Sequence, residues 1–238
     1  MSYVIRKATG PVALDGDFDS DPQWKNANII TPAIRMYRKY NIFMKLWRKI
    51  TGAEEREAND PYAPETRLKL LYDDKFIYGL FQVKDQYVRA TASKFGDMTC
   101  VDSCVEFFIR PANNLRYFNF EFNAGGHLLL YNVTDLRGGI YKPIPESECR
   151  LIKRWHSLPE FIKPEIADPV TWNLGFAIPV EFFVRFADGI SGALSGQTWT
   201  ANVFKCAEKT SHPHWFTWQP LPKLDFHNPS CFAPVTFE

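Results

Sequence analysis

Cys104-Val-Glu106-Phe-Phe-Ile-Arg110, Tyr117-Phe-Asn119-Phe-Glu121-Phe-Asn123 and His127-Leu-Leu-Leu-Tyr131-Asn-Val133 read as three consecutive β-strands. Pro111 ends the first and Ala124-Gly125-Gly126 ends the second. Side chains alternate across a strand, so Phe118, Phe120 and Phe122 share one face, and Asn119, Glu121 and Asn123 share the other. The Phe face has to be core. The opposite face carries amides, which both donate and accept hydrogen bonds, and a carboxylate, which only accepts. Two readings compete for it: a polar surface held rigid for a polar ligand, or the solvated outer face common in antiparallel sheets.

Strand-like segments separated by turn signals recur outward from this stretch, at 3–8, 12–14, 67–72, 76–84, 161–166, 171–178, 197–207 and 234–237. Asp73-Asp74 marks a hairpin between two of them. Regular short strands with intervening Gly, Pro and Asp predict an all-β chain, an antiparallel β-sandwich of lectin-like or immunoglobulin-like type. Twenty Phe, ten Tyr and seven Trp in 238 residues supply its core, and residues 1–238 are expected to form a single domain.

Two helical interruptions are expected. Pro179-Val-Glu-Phe-Phe-Val-Arg-Phe186 places Pro at a first helical position and has one apolar face. The other lies near 35–57, where Met36, Tyr40, Phe43, Trp47 and Ile50 make a helical stripe. Six Lys and Arg residues decorate the rest of its 35–50 segment, and Glu54, Glu55 and Glu57 follow. A basic amphipathic helix can dock a partner or a membrane. The plainer reading lays it over the sandwich with its charges solvated, and the glutamates count against a membrane.

A net charge of +1 gives no global argument for nucleic acid or membrane. Five cysteines without a CxxC indicate neither a disulfide framework nor a thiolate zinc site. The N-terminal residues lack a hydrophobic signal region, so the chain as it stands reads as cytoplasmic, or as secreted or periplasmic if a signal has been removed. Oligomeric state is not legible.

Several segments together resemble the family 9 carbohydrate-binding modules, especially stand-alone family-9-like proteins. They are Leu14-Asp15-Gly16-Asp17-Phe18-Asp19 with Trp24, Leu71-Tyr72-Asp73-Asp74-Lys75-Phe76-Ile77-Tyr78, Asp102-Ser-Cys-Val-Glu106-Phe-Phe-Ile109 and Glu121-Phe-Asn123-Ala-Gly125. Trp172-Asn-Leu-Gly-Phe-Ala-Ile178-Pro179, Trp199-Thr-Ala-Asn202 and a closing segment of Trp218, Phe226-His227-Asn-Pro229 and Phe232 follow in order. The resemblance implies a non-catalytic β-sandwich that binds a plant or microbial polysaccharide or its oligosaccharide ends. It requires no cofactor but usually carries structural calcium, and it clamps sugar between two aromatic rings. Thr99, Cys100 and Val101 stand where the family often has a Trp, and the basic segment 35–57 is an insertion.

The expected ligand-binding residues are therefore Glu106, Asn119, Glu121, Asn123 and Arg110, with Trp155 or Trp215 as stacking platform. By resemblance Glu106 matches a position associated with ligand hydroxyls, against the alternative of an ion pair with Arg110. Asp15, Asp17, Asp73 and Asp102 are hard oxygen ligands for calcium if clustered, and ordinary turn residues otherwise. Asp15, Asp17, Asp19 and Asp21 alternate like a calcium loop but lack an EF-hand's Gly and distal Glu. His212, His214 and His227 make a weaker case for a three-nitrogen metal site.

Two other functions stay open. A glycoside hydrolase would use Glu106 and Glu121 as its carboxylate pair, about 5–5.5 Å apart for retention or about 6.5–9.5 Å for inversion. A partner- or membrane-interaction protein would use the basic helix 35–50.

Overall fold

The computed structural model describes residues 2–38, 49–50, 60–134 and 139–238. Its strands begin with β1 (Tyr3–Lys7), β2 (Ile29–Ile30), β3 (Ile34–Arg35), β4 (Glu65–Tyr72), β5 (Phe76–Asp85) and β6 (Val88–Ala90). The opening motif supplies β7 (Cys104–Arg110), β8 (Arg116–Asn123) and β9 (Leu128–Thr134). Then come β10 (Ile140–Pro143), the one-turn helix α1 (Glu146–Cys149), β11 (Lys153–His156), β12 (Ile162–Ile166) and β13 (Val170–Pro179). Helix α2 (Val180–Phe186), β14 (Thr198–Ala207), β15 (His214–Thr217) and β16 (Ala233–Phe237) complete the chain.

Two sheets face each other, as the alternation predicts. One runs β10-β9-β8-β7-β14-β16, with β15 also on β14 and β3 on β15; the other runs β4-β5-β13-β11, with β2 on β4. Strand β1 joins them, pairing parallel with β16 through Tyr3–Ile5 and with β4 through Arg6 and Lys7. Strands β6 and β12 form a separate ribbon.

The Phe face is the core. Phe107, Phe118, Phe120 and Phe122 are fully buried against Phe81 and Phe176 of the opposite sheet. Burying one such side chain contributes about 1.5–3 kcal/mol, so this face dominates the fold's stability. Helix α2 lies where expected but begins at Val180, with Pro179 as its extended N-cap and not its first helical residue, and its Phe182 and Phe183 pack edge-on against Phe118. Gly79 is required by close approach, because a Cβ there would lie 2.0 Å from the Phe176 ring.

Asp73 closes the β4–β5 hairpin by accepting from the Lys75 and Phe76 amides, both at 2.8 Å. Residues 12–14, expected as a strand, are irregular and lead into a turn. Ile34 and Arg35 pair with β15, and the Met36 amide donates to Trp215 O at 2.8 Å, so extended backbone occupies the expected start of the basic helix. Most of that predicted helix lies outside the described residues. No helix among those described is long and apolar enough to cross a membrane.

Candidate functional site

The polar face of β7 and β8 is not an open surface. Asn119 is 1% exposed, Glu106 2% and Glu121 5%. Residues 218–232 return across this face as a roof. The Trp218 amide donates to Val203 O at 2.9 Å, and the Gln219 amide donates to Asn202 Oδ1 at 3.0 Å. Phe226 stacks on Phe204 with centroids 4.1 Å apart, while Leu221 and Phe232 pack with Phe108 and Tyr117. The apolar residues on this face, Phe108, Tyr117 and Phe204, recruit the roof that hides the polar ones.

Between roof and sheet lies a cavity of about 470 Å³. Glu106 and Glu121 form part of its lining and are direct partners in the β7–β8 register. Trp215, Phe226, Met98 and Cys100 are further lining residues, with Arg38 and Glu208 also bordering it. Arg38 is ion-paired to Glu208 at 2.8 Å, and its guanidinium sits 4.6 Å from the Trp215 ring centroid.

The carboxylates are held by neutral groups. Asn119 Nδ2 donates to Glu121 Oε1 at 2.7 Å and Thr99 Oγ1 donates to Glu121 Oε2 at 3.3 Å. The Cys206 thiol donates to Glu106 Oε1 at 3.2 Å. Burial raises the Glu121 carboxyl to about 7 despite the Asn119 and Thr99 hydrogen bonds. Burial first, and then neighbouring Glu121, holds the Glu106 carboxyl well above the usual carboxylate range. Desolvation disfavours the charged form when no opposite charge compensates it. Near neutral pH the pair therefore retains protons, and a protonated carboxyl can donate as well as accept.

The expected site residues divide. Glu106, Glu121 and Trp215 are brought together at the cavity, and Asn119 orients Glu121 from beneath. Asn123 turns to the β8–β9 connection, where its Oδ1 accepts from the Gly125 and His127 amides and its Nδ2 donates to Asp102. Arg110 borders a separate cleft and donates to Thr200 Oγ1 at 3.3 Å. Trp155 stands half-buried on edge strand β11 of the other sheet.

The four aspartates are dispersed. Asp17 Oδ1 accepts from the Ser20 amide and hydroxyl in its own exposed turn, Asp15 lies on the same loop, and Asp73 serves the hairpin. Asp102 is fully buried and accepts from the Thr91 and Ala92 amides and from Arg89 Nε at 3.1 Å. Burial pushes its carboxyl up, but the hydrogen bonds from Ala92, Asn123 and Thr91 hold it below the usual range. The three histidines are likewise separate: His212 pairs with Asp60, His214 with Lys205, and His227 with Tyr117.

Sequence reasoning missed Cys206, Met98, Cys100, Arg38 and the roof. Cys206 was detectable, since it shares a β14 face with Phe204 and Asn202. The roof had no periodic signal. Trp215 sits on β15, and it is 5% exposed.

A sequence model of carbohydrate-binding family 9 matches residues 48–237. A sequence comparison with curated proteins finds no match. Among solved structures, a candidate carbohydrate-binding protein from Bacteroides uniformis is 26% identical with a TM-score of 0.78, and the alignment covers 100% of this chain and 99% of that one. A family 9 carbohydrate-binding module from Caldicellulosiruptor kristjanssonii, in complex with glucose, is 13% identical with a TM-score of 0.58, covering 99% of this chain and 95% of that one. The same source's family 9 module in complex with cellotriose gives 12%, 0.59, 100% and 94%. At those identities the two modules speak to the fold alone.

Proposed function

Because the chain belongs to carbohydrate-binding family 9, we propose that it binds a carbohydrate without chemical turnover, in the cavity between β7, β8 and the 218–232 roof. The observation that carries the reading is the pairing of buried carboxyls with aromatic wall in one cavity. Glu106 and Glu121 offer hydrogen bonds to hydroxyls, while Trp215 and Phe226 offer apolar surface to a pyranose face. A volume of about 470 Å³ falls in the range of small-ligand sites. The roof makes the site a pocket rather than a groove along the sheet, which favours the end of a polysaccharide or a short oligosaccharide over the middle of a long chain. Glucose and cellotriose, the ligands of the Caldicellulosiruptor modules, set the first sugars to try.

Met98 and Cys100 border the cavity near the position where the family often places a Trp. Met98 is 52% exposed, and its flexible thioether takes the place of a rigid ring.

Membership of a family of binding modules favours recognition over hydrolysis. Glu106 and Glu121 are direct partners on adjacent strands, and a glycosidase needs its two carboxyls flanking the scissile bond, so turnover is read directly in the test that follows.

The test is a glycan array followed by calorimetry on each hit, with Glu106→Ala and Trp215→Ala as variants. Saturable binding without reducing-sugar release, weakened in both variants, is the expected result. Release of reducing sugar would replace this reading with the hydrolase. Silence on every glycan, with retention on anionic vesicles lost in Lys45→Glu and Arg48→Glu, would replace it with the interaction protein.

A further inference from the structure

One corner of the cavity is rich in sulfur that sugar recognition does not use. Cys104 and Cys206 are direct partners in the β7–β14 register, and Glu106 lies on the same face of β7 as Cys104. Cys206 Sγ is 3.2 Å from Glu106 Oε1, and Cys104 Sγ is 4.0 Å from that same oxygen. All three donor atoms lie within 4.8 Å of one another. Each of the three residues is buried to 2% exposure or less. They are also the only group of three or more such donors close enough to share an ion among the described residues.

These separations suit one cation. Zinc–sulfur bonds of about 2.3 Å and zinc–oxygen bonds of about 2.0–2.2 Å, arranged tetrahedrally, place sulfur about 3.6 Å from oxygen and about 3.8 Å from sulfur. The two observed sulfur–oxygen distances bracket that value. A second observation points the same way: among the described residues Glu106 has no Lys, Arg or His within ion-pairing distance, and its hydrogen-bond donors are the two thiols. A buried carboxylate in such a place must keep its proton or acquire a cation.

We propose that Cys104, Cys206 and Glu106 bind one thiophilic divalent cation of the zinc class, bridging β7 to β14. Thiolate ligands select zinc over the hard cations calcium and magnesium. Glu106 and Cys206 both border the cavity, so the fourth coordination position faces it and is available to water or a ligand atom. Uptake forms two metal–sulfur bonds and one metal–oxygen bond. It releases to solvent the two thiol protons and any proton on the carboxyl, so binding strengthens as pH rises. This site does not depend on the sugar reading.

The experiment uses the full chain, reduced and chelator-stripped, titrated with Co²⁺ and with Zn²⁺ alone. One equivalent is expected, with the sulfur-to-cobalt charge-transfer absorption that marks thiolate ligation. Cys104→Ser and Cys206→Ser should each weaken binding by more than about tenfold, since even an outer-shell loss has effects of about 10–100-fold. Cys149→Ser, on α1, should bind as the wild type does. Glu106→Gln, nearly isosteric, must also weaken zinc binding with its circular dichroism unchanged, which covers a cysteine variant that fails to fold. Absence of the cobalt–thiolate band in the wild type would overturn the proposal. So would wild-type affinity in Glu106→Gln or in a folded Cys206→Ser. Glycan binding by the chelated wild type is read separately, so either proposal can fail alone.

Discussion

Two polar clusters lie buried on opposite faces of β14, and they are compensated in opposite ways. On the interior face Lys205 reaches Asp85 at 3.4 Å and His214 Nε2 at 2.9 Å, while Trp172 Nε1 donates to Asp85 at 3.0 Å and the Tyr62 hydroxyl also donates to it. On the outer face Glu106 and Glu121 face each other with neutral donors only. Lys205 is the largest influence holding the Asp85 carboxyl below its usual range against burial. The cavity pair is pushed the other way. A saturated cluster ties β5 of one sheet to β14 of the other; the pair beside the cavity has no counter-charge to saturate it.

The largest expected effect breaks the saturated cluster. Lys205→Met strands Asp85 as an unpaired buried charge and should cost about 3–5 kcal/mol in chemical denaturation. Glu106→Gln removes a charge site that burial already disfavours, and it should leave stability within about 1 kcal/mol of wild type. Equal losses in the two variants would erase the distinction.

The pH dependence sharpens it next. Glu121 has a folded value near 7 against an ordinary 4.5, so between those pH values the folded state binds the extra proton. Its contribution to stability therefore falls as pH rises through that window. Burial drives His214 down to about 3 from an ordinary 6.5, so the folded state binds fewer protons there and stability falls on acidification through that window. The two trends oppose each other between pH 4.5 and 6.5. Denaturation of wild type and Glu121→Gln across pH 4.5 to 7 separates them: the variant should gain about 3 kcal/mol relative to wild type over the range. A constant difference would mean that Glu121 ionises normally.

Smaller effects probe the cavity wall. Trp215→Ala should weaken sugar binding by about 10–100-fold in calorimetry, equivalent to about 1.4–2.8 kcal/mol. Met98→Ala removes a half-exposed, flexible contact and should weaken it by about threefold or less. A larger loss at Met98 than at Trp215 would move the stacking surface to the Met98 side.

Much of the fold was legible in short patterns. The Phe alternation of β8 identified the core face, Asp73 the hairpin and Pro179 the start of α2. Strands β2, β3, β6, β10, β11 and β15 escaped notice because each is four residues or fewer, too short for alternation to register. The site was legible only in part. Spacing placed Glu121 opposite the Phe face of β8, while Glu106, on a strand apolar on both faces, was placed by the family resemblance and joined to Glu121 only by the β7–β8 register. Asn123 and Arg110 could not be separated from them, because both lie on that face of their strands. A difference of two residues along a strand, about 6.6 Å, decides between a cavity and a turn.

By itself the sequence determined an all-β sandwich, the core face of β8 and the carboxyl of Glu121 on the other side. These follow from a period of two, a local property of extended chain. The tertiary structure alone decided that the polar face is covered, since the roof begins some 95 residues after β8 ends. It also set Cys206 beside Glu106, an encounter that depends on strand register. Whether a buried carboxyl keeps its proton depends on every charge and dipole nearby in space, and no linear pattern contains that sum.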